Sequence, residues 1–232
     1  MPRSITGSRT GFAALLLLAG LLTAATASAR HDRRSQGGIP GVFDGYLLSL
    51  SWSPAYCAGG GRGAECTGRR AYGFVVHGLW PQRDRGRIEH CRTRERVSAQ
   101  TARALERWMP DRSLVFHEWR AHGSCSGLAP RAYFAQLVHA ASNLAIPTPL
   151  RAPSAARTVA PRAIARQFLR ANPALPSKAL VVVCGRGALP RFTELRVCLD
   201  RSLAPRACSD TVRARRCRAP WVRILPVHRA GD

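Results

Sequence analysis

The segment Phe116 to Cys125 reads FHEWRAHGSC and places Glu118 between two imidazoles, His117 and His122. A glutamate beside a histidine invites comparison with the zinc-hydrolase helix H-E-x-x-H, whose two histidines stand one turn apart and converge on an ion. Here the two histidines are five positions apart. On a helix that spacing turns one ring about 140° from the other, which is wrong for a shared metal. Glu118 and His122, four apart, are neighbours on the same helix. A carboxylate beside an imidazole can hold the ring protonated or orient it for proton transfer. The spacing therefore predicts acid–base chemistry with no metal and no other cofactor. Taken alone, the pair is no more specific than a surface ion pair.

A proton-transfer reaction needs one group to remove a proton and another to supply one. The stretch FVVHGLWP at 74–81 offers the second, because His77 leaves a strand pattern just before a Gly turn. Trp80 beside it provides a flat apolar surface on which a nucleobase could stack. Gln82 follows two residues later. His31, His90, His139 and His228 sit in no comparable motif and read as surface or packing residues.

These residues must be carried by ordinary elements. YLLSLSW (46–52) alternates with period two, which puts Tyr46, Leu48, Leu50 and Trp52 on one face of a strand. Phe74 to His77 reads as a second strand running into a turn at GLWP. Residues 97–108 form an amphipathic helical pattern, and Asp111 is placed to cap the helix carrying RSLVFHEWRAH, which should stop near Gly123. Residues 131–144 and 161–170 give two more helices. Beyond Pro176, KALVVVC, FTELRVCL and WVRILPV look like strands joined by cysteine-bearing loops. Helices in the middle and strands at both ends predict an α+β domain.

The formal net charge of +23 comes almost wholly from arginine, since Lys178 is the only lysine. Such an excess attracts polyanions, although Ala, Gly and Pro richness also suits a GC-rich coding bias. Charge alone therefore names no activity. Arg3 and Arg9 precede an apolar run and the small-residue stretch ending in Ala27-Ser28-Ala29, the layout of a cleaved secretory signal over 1–29. The run is shorter than the ~20 residues a spanning helix needs, so no integral membrane association is expected. Residues 30–41 read as a flexible mature N-terminus and 42–232 as one domain. The eight cysteines all follow the signal and contain no C-x-x-C pair. In an exported chain they predict four disulfides rather than a zinc site. Secreted or periplasmic residence follows.

FVVHGLWP and HEWRAHGSC, in that order, closely resemble the two active-site segments of the ribonuclease T2 family. WSPAYC upstream, a cysteine soon after the first motif, YF in the helix after the second and the strand ELRVCLD fit the same frame, and the resemblance runs from about residue 43 to 228. It implies a ribonuclease T2-like fold, with helices packed on a central antiparallel sheet and disulfides stapling it. It also implies a monomeric endoribonuclease that cuts single-stranded RNA through the RNA's own 2′-hydroxyl and leaves DNA untouched. The products would be 2′,3′-cyclic phosphates and then 3′-phosphates. By resemblance His122 is the base, His77 the acid, His117 a phosphate contact and Glu118 a group that polarises or holds the charged site. Trp80 and Gln82 fall at the base-binding positions, where many relatives carry an acidic residue in place of Gln82. The implied pairs are Cys57 with Cys66, Cys91 with Cys125, and Cys184 with Cys217 around Cys198 with Cys208. One departure stands out. Where the family often carries a lysine before the final histidine of the second motif, this chain has Ala121. Arg120 is adjacent but turned about 100° away on a helix. A cationic protein that binds RNA or another polyanion without cutting it is the alternative.

Overall fold

The computed structural model describes residues 38–227 together with Met1. The expected signal segment beyond Met1, most of the expected N-terminal extension, His31 and His228 lie outside the described residues. In chain order the elements are β1 (Gly45–Trp52), α1 (Ser53–Ala58), α2 (Ala64–Thr67), β2 (Phe74–Gln82), α3 (Ala99–Ala104), α4 (Arg112–Ala121) and α5 (Pro130–Ser142). Then follow β3 (Arg157–Val159), α6 (Pro161–Ala171), β4 (Leu180–Cys184), β5 (Phe192–Leu199), α7 (Asp210–Arg213) and β6 (Val222–Ile224). A central four-stranded sheet has the order β2-β1-β5-β4 and is antiparallel throughout. β3 and β6 make a separate antiparallel pair. The fold is α+β, as the pattern of elements predicts.

Alternation along β1 divides the interior. Tyr46, Leu48, Leu50 and Trp52 join the main core with Tyr133, Phe134 and Leu137 of α5, Phe168 of α6 and Phe192 of β5. On the opposite face Leu47 packs with Val181, Cys198, Cys208 and Val212 in a smaller cluster. Ser49, on that second face, is 0 % exposed. β1 is therefore buried on both sides despite its half-polar sequence.

Three elements differ from the sequence expectations, each for a physical reason. β2 does not end in a turn at GLWP but continues to Gln82, with Trp80 opposite Leu47 and Pro81 opposite Tyr46. It is an edge strand, and an edge tolerates a proline that lacks a donor. The helix expected over 97–108 is regular only from Ala99 to Ala104, capped by the Ser98 hydroxyl on the Thr101 amide. Its continuation turns so that the Trp108 carbonyl accepts from the Val76 amide at 2.8 Å, closing part of the exposed edge of β2. The last strand is confined to Val222–Ile224, where β3, a strand the sequence pattern did not mark, supplies its partner.

Four disulfides fasten the loops: Cys57–Cys66, Cys91–Cys125, Cys184–Cys217 and Cys198–Cys208. Among the described residues no helix is long and apolar enough to cross a membrane.

Candidate active site

The β1–β2 register changes at one point. Ser49 pairs with Gly78 and Leu50 with Val76, so His77 has no residue opposite it. A bulge of this kind bends the strand and re-aims the extra side chain. The His77 ring reaches towards α4, with Nε2 3.6 Å from Glu118 Oε1. Ser51 Oγ lies 3.4 Å from its Nδ1.

α4 carries the second motif. Asp111 caps it, its carboxylate accepting from the Ser113 amide at 2.8 Å. Glu118 is buried at 1 % exposure and accepts a 2.6 Å hydrogen bond from Trp80 Nε1. Gly78 makes that bond possible, because a Cβ there would collide with both Glu118 Oε2 and Trp80 Nε1. The carboxylate thus joins the two motifs. Its recorded ion pair is with His77 across the fold rather than with His122, its neighbour four positions along the chain.

His122 ends α4. Its backbone leaves helical geometry at φ −128°, while its amide still donates to the Glu118 carbonyl at 2.9 Å. The next residue must be small, since a Cβ on Gly123 would come within 2.6 Å of Trp119 and 2.7 Å of Tyr133. Three further ties hold this corner. The Cys91–Cys125 disulfide, the His90 amide on the Ala121 carbonyl at 2.8 Å, and the Trp119 indole on the Glu95 carbonyl at 3.1 Å all join it to the preceding loop. From α5, the Tyr133 hydroxyl donates to the Leu79 carbonyl at 2.8 Å and binds the helical side to β2.

Trp80 lies close to both imidazoles. Its ring centroid is 5.1 Å from that of His77 and 5.2 Å from that of His122. The Arg196 guanidinium lies over the indole, 5.4 Å from its centroid. Trp80 is therefore engaged by both imidazoles and a cation, more than the open stacking platform the sequence suggests. Gln82, at the end of β2, donates to the Pro81 carbonyl at 3.1 Å. His117 is exposed on α4 and lines a cleft of about 500 Å³ with His77, Ser51, Tyr56, Leu114 and Arg120. Arg120 also lines a second cleft, of about 440 Å³, with His90, Arg94, Arg96, Phe116 and Trp119. Ala121 is buried, whereas Arg120 borders the cleft despite its different helical azimuth.

The environment sets the protonation states. Burial pushes the Glu118 carboxyl up to about 8, working against the Trp80 hydrogen bond. Burial pulls His122 down to about 4, with Glu89 opposing. His77 is also lowered by burial; Glu194 counters this, and Arg196 and His117 reinforce it. A buried carboxyl that resists ionising beside the half-buried His77 imidazole forms a pair able to share one proton.

Sequence reasoning missed a further group on the sheet. Ser49 Oγ donates to Glu194 Oε1, and Arg196 Nη2 donates to Glu194 Oε2 at 2.8 Å. The available signal was a Glu-x-Arg pair on one face of the apolar strand FTELRVCL.

A family model described as the ribonuclease T2 family matches residues 43–208, a span that holds both motifs. The chain belongs to the ribonuclease T2 family. A ribonuclease of Aeromonas hydrophila is 40 % identical over 116 residues, covering 50 % of this chain and 51 % of that protein. A probable ribonuclease of Haemophilus influenzae is 32 % identical over 123 residues, covering 46 % and 45 %. The chain thus spans about half the length of these two relatives. Ribonuclease MC1 from the seeds of bitter gourd superposes with a TM-score of 0.57 at 22 % identity, covering 70 % of this chain and 92 % of that one. At that identity the likeness concerns the fold, which for this T2 family member is the antiparallel sheet with its helices.

Proposed function

We propose that this protein is an endoribonuclease that cleaves single-stranded RNA by transphosphorylation. The observation that carries the reading is that His77 and His122, distant in the chain, both come within 5.1–5.2 Å of Trp80, whose indole N–H holds Glu118. Neutral His122 takes the proton from a ribose 2′-hydroxyl, and that oxygen attacks the adjacent phosphorus. The P–O5′ bond breaks as the proton held between His77 and Glu118 passes to the departing oxygen from His77. A 2′,3′-cyclic phosphate remains, and water later opens it to a 3′-phosphate by the reverse proton traffic.

Burial keeps the free His122 ring unprotonated at neutral pH, the form in which a base accepts a proton. His117 and Arg120 line the cleft beside His77 and supply donors for the phosphoryl oxygens, in a chain where Ala121 offers none. Trp80 and Gln82 border the base. The arginine surface concentrates a polyanionic substrate. The nucleophile belongs to the RNA, so DNA is not a substrate, and no step calls for a metal. The expected setting is outside the cytoplasm, as a monomer, where the disulfides persist.

The test is incubation of the purified oxidised protein with RNA in excess EDTA, followed by end-group analysis. Cyclic phosphate ends support the proposal. RNA retained without cleavage favours a cationic binder, and cleavage abolished by EDTA favours a metal-dependent nuclease.

A further inference from the structure

His77 faces a second buried carboxylate. Glu194 Oε1 lies 4.0 Å from His77 Nδ1, the edge opposite the Nε2–Glu118 contact of 3.6 Å. β5 brings it there through its pairing with β1, in which Ser51 is opposite Glu194 and Ser49 opposite Arg196. The Glu194 side chain is itself fixed at both oxygens, by the Ser49 hydroxyl and by Arg196 Nη2. Arg196 keeps its Nε buried with no protein partner, and its guanidinium covers Trp80. An ion pair buried against an imidazole on a sheet face is expensive unless its geometry is determined. Here three groups touch the pair: Ser49 and His77 on Glu194, and Trp80 under Arg196.

Building on the transphosphorylation reading, we propose that Glu194, clamped by Ser49 and Arg196, is a positioning residue for His77. It fixes the imidazole from the Nδ1 edge so that Nε2 remains on the Glu118 side as the proton donor. The charged and titratable groups around His77 are Glu194 and Arg196 from β5 and Glu118 and His117 from α4, with Tyr56, Glu65, Asp111 and Arg120 lining the same cleft and His122 on the shared Trp80. Within this set Glu194 favours the imidazolium and Arg196 opposes it. The two members of one ion pair therefore act on the ring in opposite senses.

The test is an NMR titration of the His77 ring in the free full-length protein, its resonance assigned with His77→Asn. Glu194→Gln keeps the side-chain shape and removes the charge, and its His77 midpoint should fall by about 1 pH unit. Arg196→Gln should raise it, and the alkaline limb of the RNA-cleavage profile should move the same way in each variant. Should Glu194→Gln fail to fold, the rise in Arg196→Gln decides the matter. A midpoint unmoved in both, or moved in the same direction, overturns the proposal. The titration needs no RNA, so absence of cleavage by the native protein would sink the nuclease reading while leaving this measurement interpretable.

Discussion

The indole of Trp80 donates its single N–H to Glu118 at 2.6 Å, and this bond joins an edge strand to the helix that ends at His122. It satisfies a carboxyl that burial otherwise penalises, and it sets the indole beside two imidazoles. Trp80→Phe keeps the packing but leaves Glu118 without that donor. Stability should fall by about 1–3 kcal/mol in urea melts. The Glu118 carboxyl should titrate above its value of about 8, because the lost bond is one that lowers it. Carbon-detected NMR of labelled glutamate would read the second effect.

Gly78→Ala attacks the same junction from the backbone side. The new Cβ would meet Glu118 Oε2 and Trp80 Nε1, so the two must part. A loss of about 1–3 kcal/mol is expected from overpacking. Cleavage should be lost to a greater degree than substrate affinity. Equal losses in kcat and in binding would contradict a role in aligning the site.

Removing either proton-transfer group should be costly to the chemistry and cheap to the fold. His122→Ala should lower kcat by about 10²–10⁴-fold, the usual worth of a positioned acid or base. His122 is buried and strongly disfavours its charged form, so stability should not fall at low pH; the acid side should gain. In the native protein His122 is lowered from 6.5 to about 4, so folding stability is lost as pH falls through that interval. In the Ala variant that loss disappears. Near-native turnover, or an unchanged acid limb of stability, would contradict the assignment.

Glu118 gives the mirror image. Its folded value of about 8 lies above the ordinary 4.5, so its contribution is fully present below 4.5 and is lost as pH rises through about 8. Glu118→Gln should therefore flatten stability on the alkaline side. The activity profile of the native protein should be bell-shaped, falling below about 4 with His122 and above about 8 with the Glu118–His77 pair. Initial rates across that range would check it.

The Cys91–Cys125 bridge spans a sequence separation of 34, and the loop it closes includes Glu95 and α4, with His90 just before it. Replacing both cysteines by alanine should cost about 4 kcal/mol by the chain-entropy relation. It should also loosen His122, because the Trp119–Glu95 tie lies inside that loop and the His90–Ala121 tie runs from the residue just before it.

Much of this site is legible along the chain because its residues are local. Asp111 caps the helix that carries Glu118, and the spacing of His117 and His122 argues against a shared metal before any fold is known. What is not legible depends on pairing. The i, i+4 rule makes Glu118 a neighbour of His122, but the helix breaks at His122 and the ion pair crosses to His77. The continuation of β2 through Pro81 depends on its being an edge, which only the sheet order reveals. Glu194 looks like an exposed position of an alternating strand until β1 lays Ser49 and Ser51 beside it. Nor can spacing select one cysteine pairing from roughly a hundred.

The most direct measurement uses a DNA oligonucleotide containing one ribonucleotide, incubated with the native protein, His77→Ala and His122→Ala. The native protein should cut once, on the 3′ side of the ribose, and leave a 2′,3′-cyclic phosphate there, while both variants should lose most of that rate. Scission at deoxynucleotides, or undiminished cutting by either variant, would contradict a mechanism in which two imidazoles shuttle protons around the substrate's own hydroxyl.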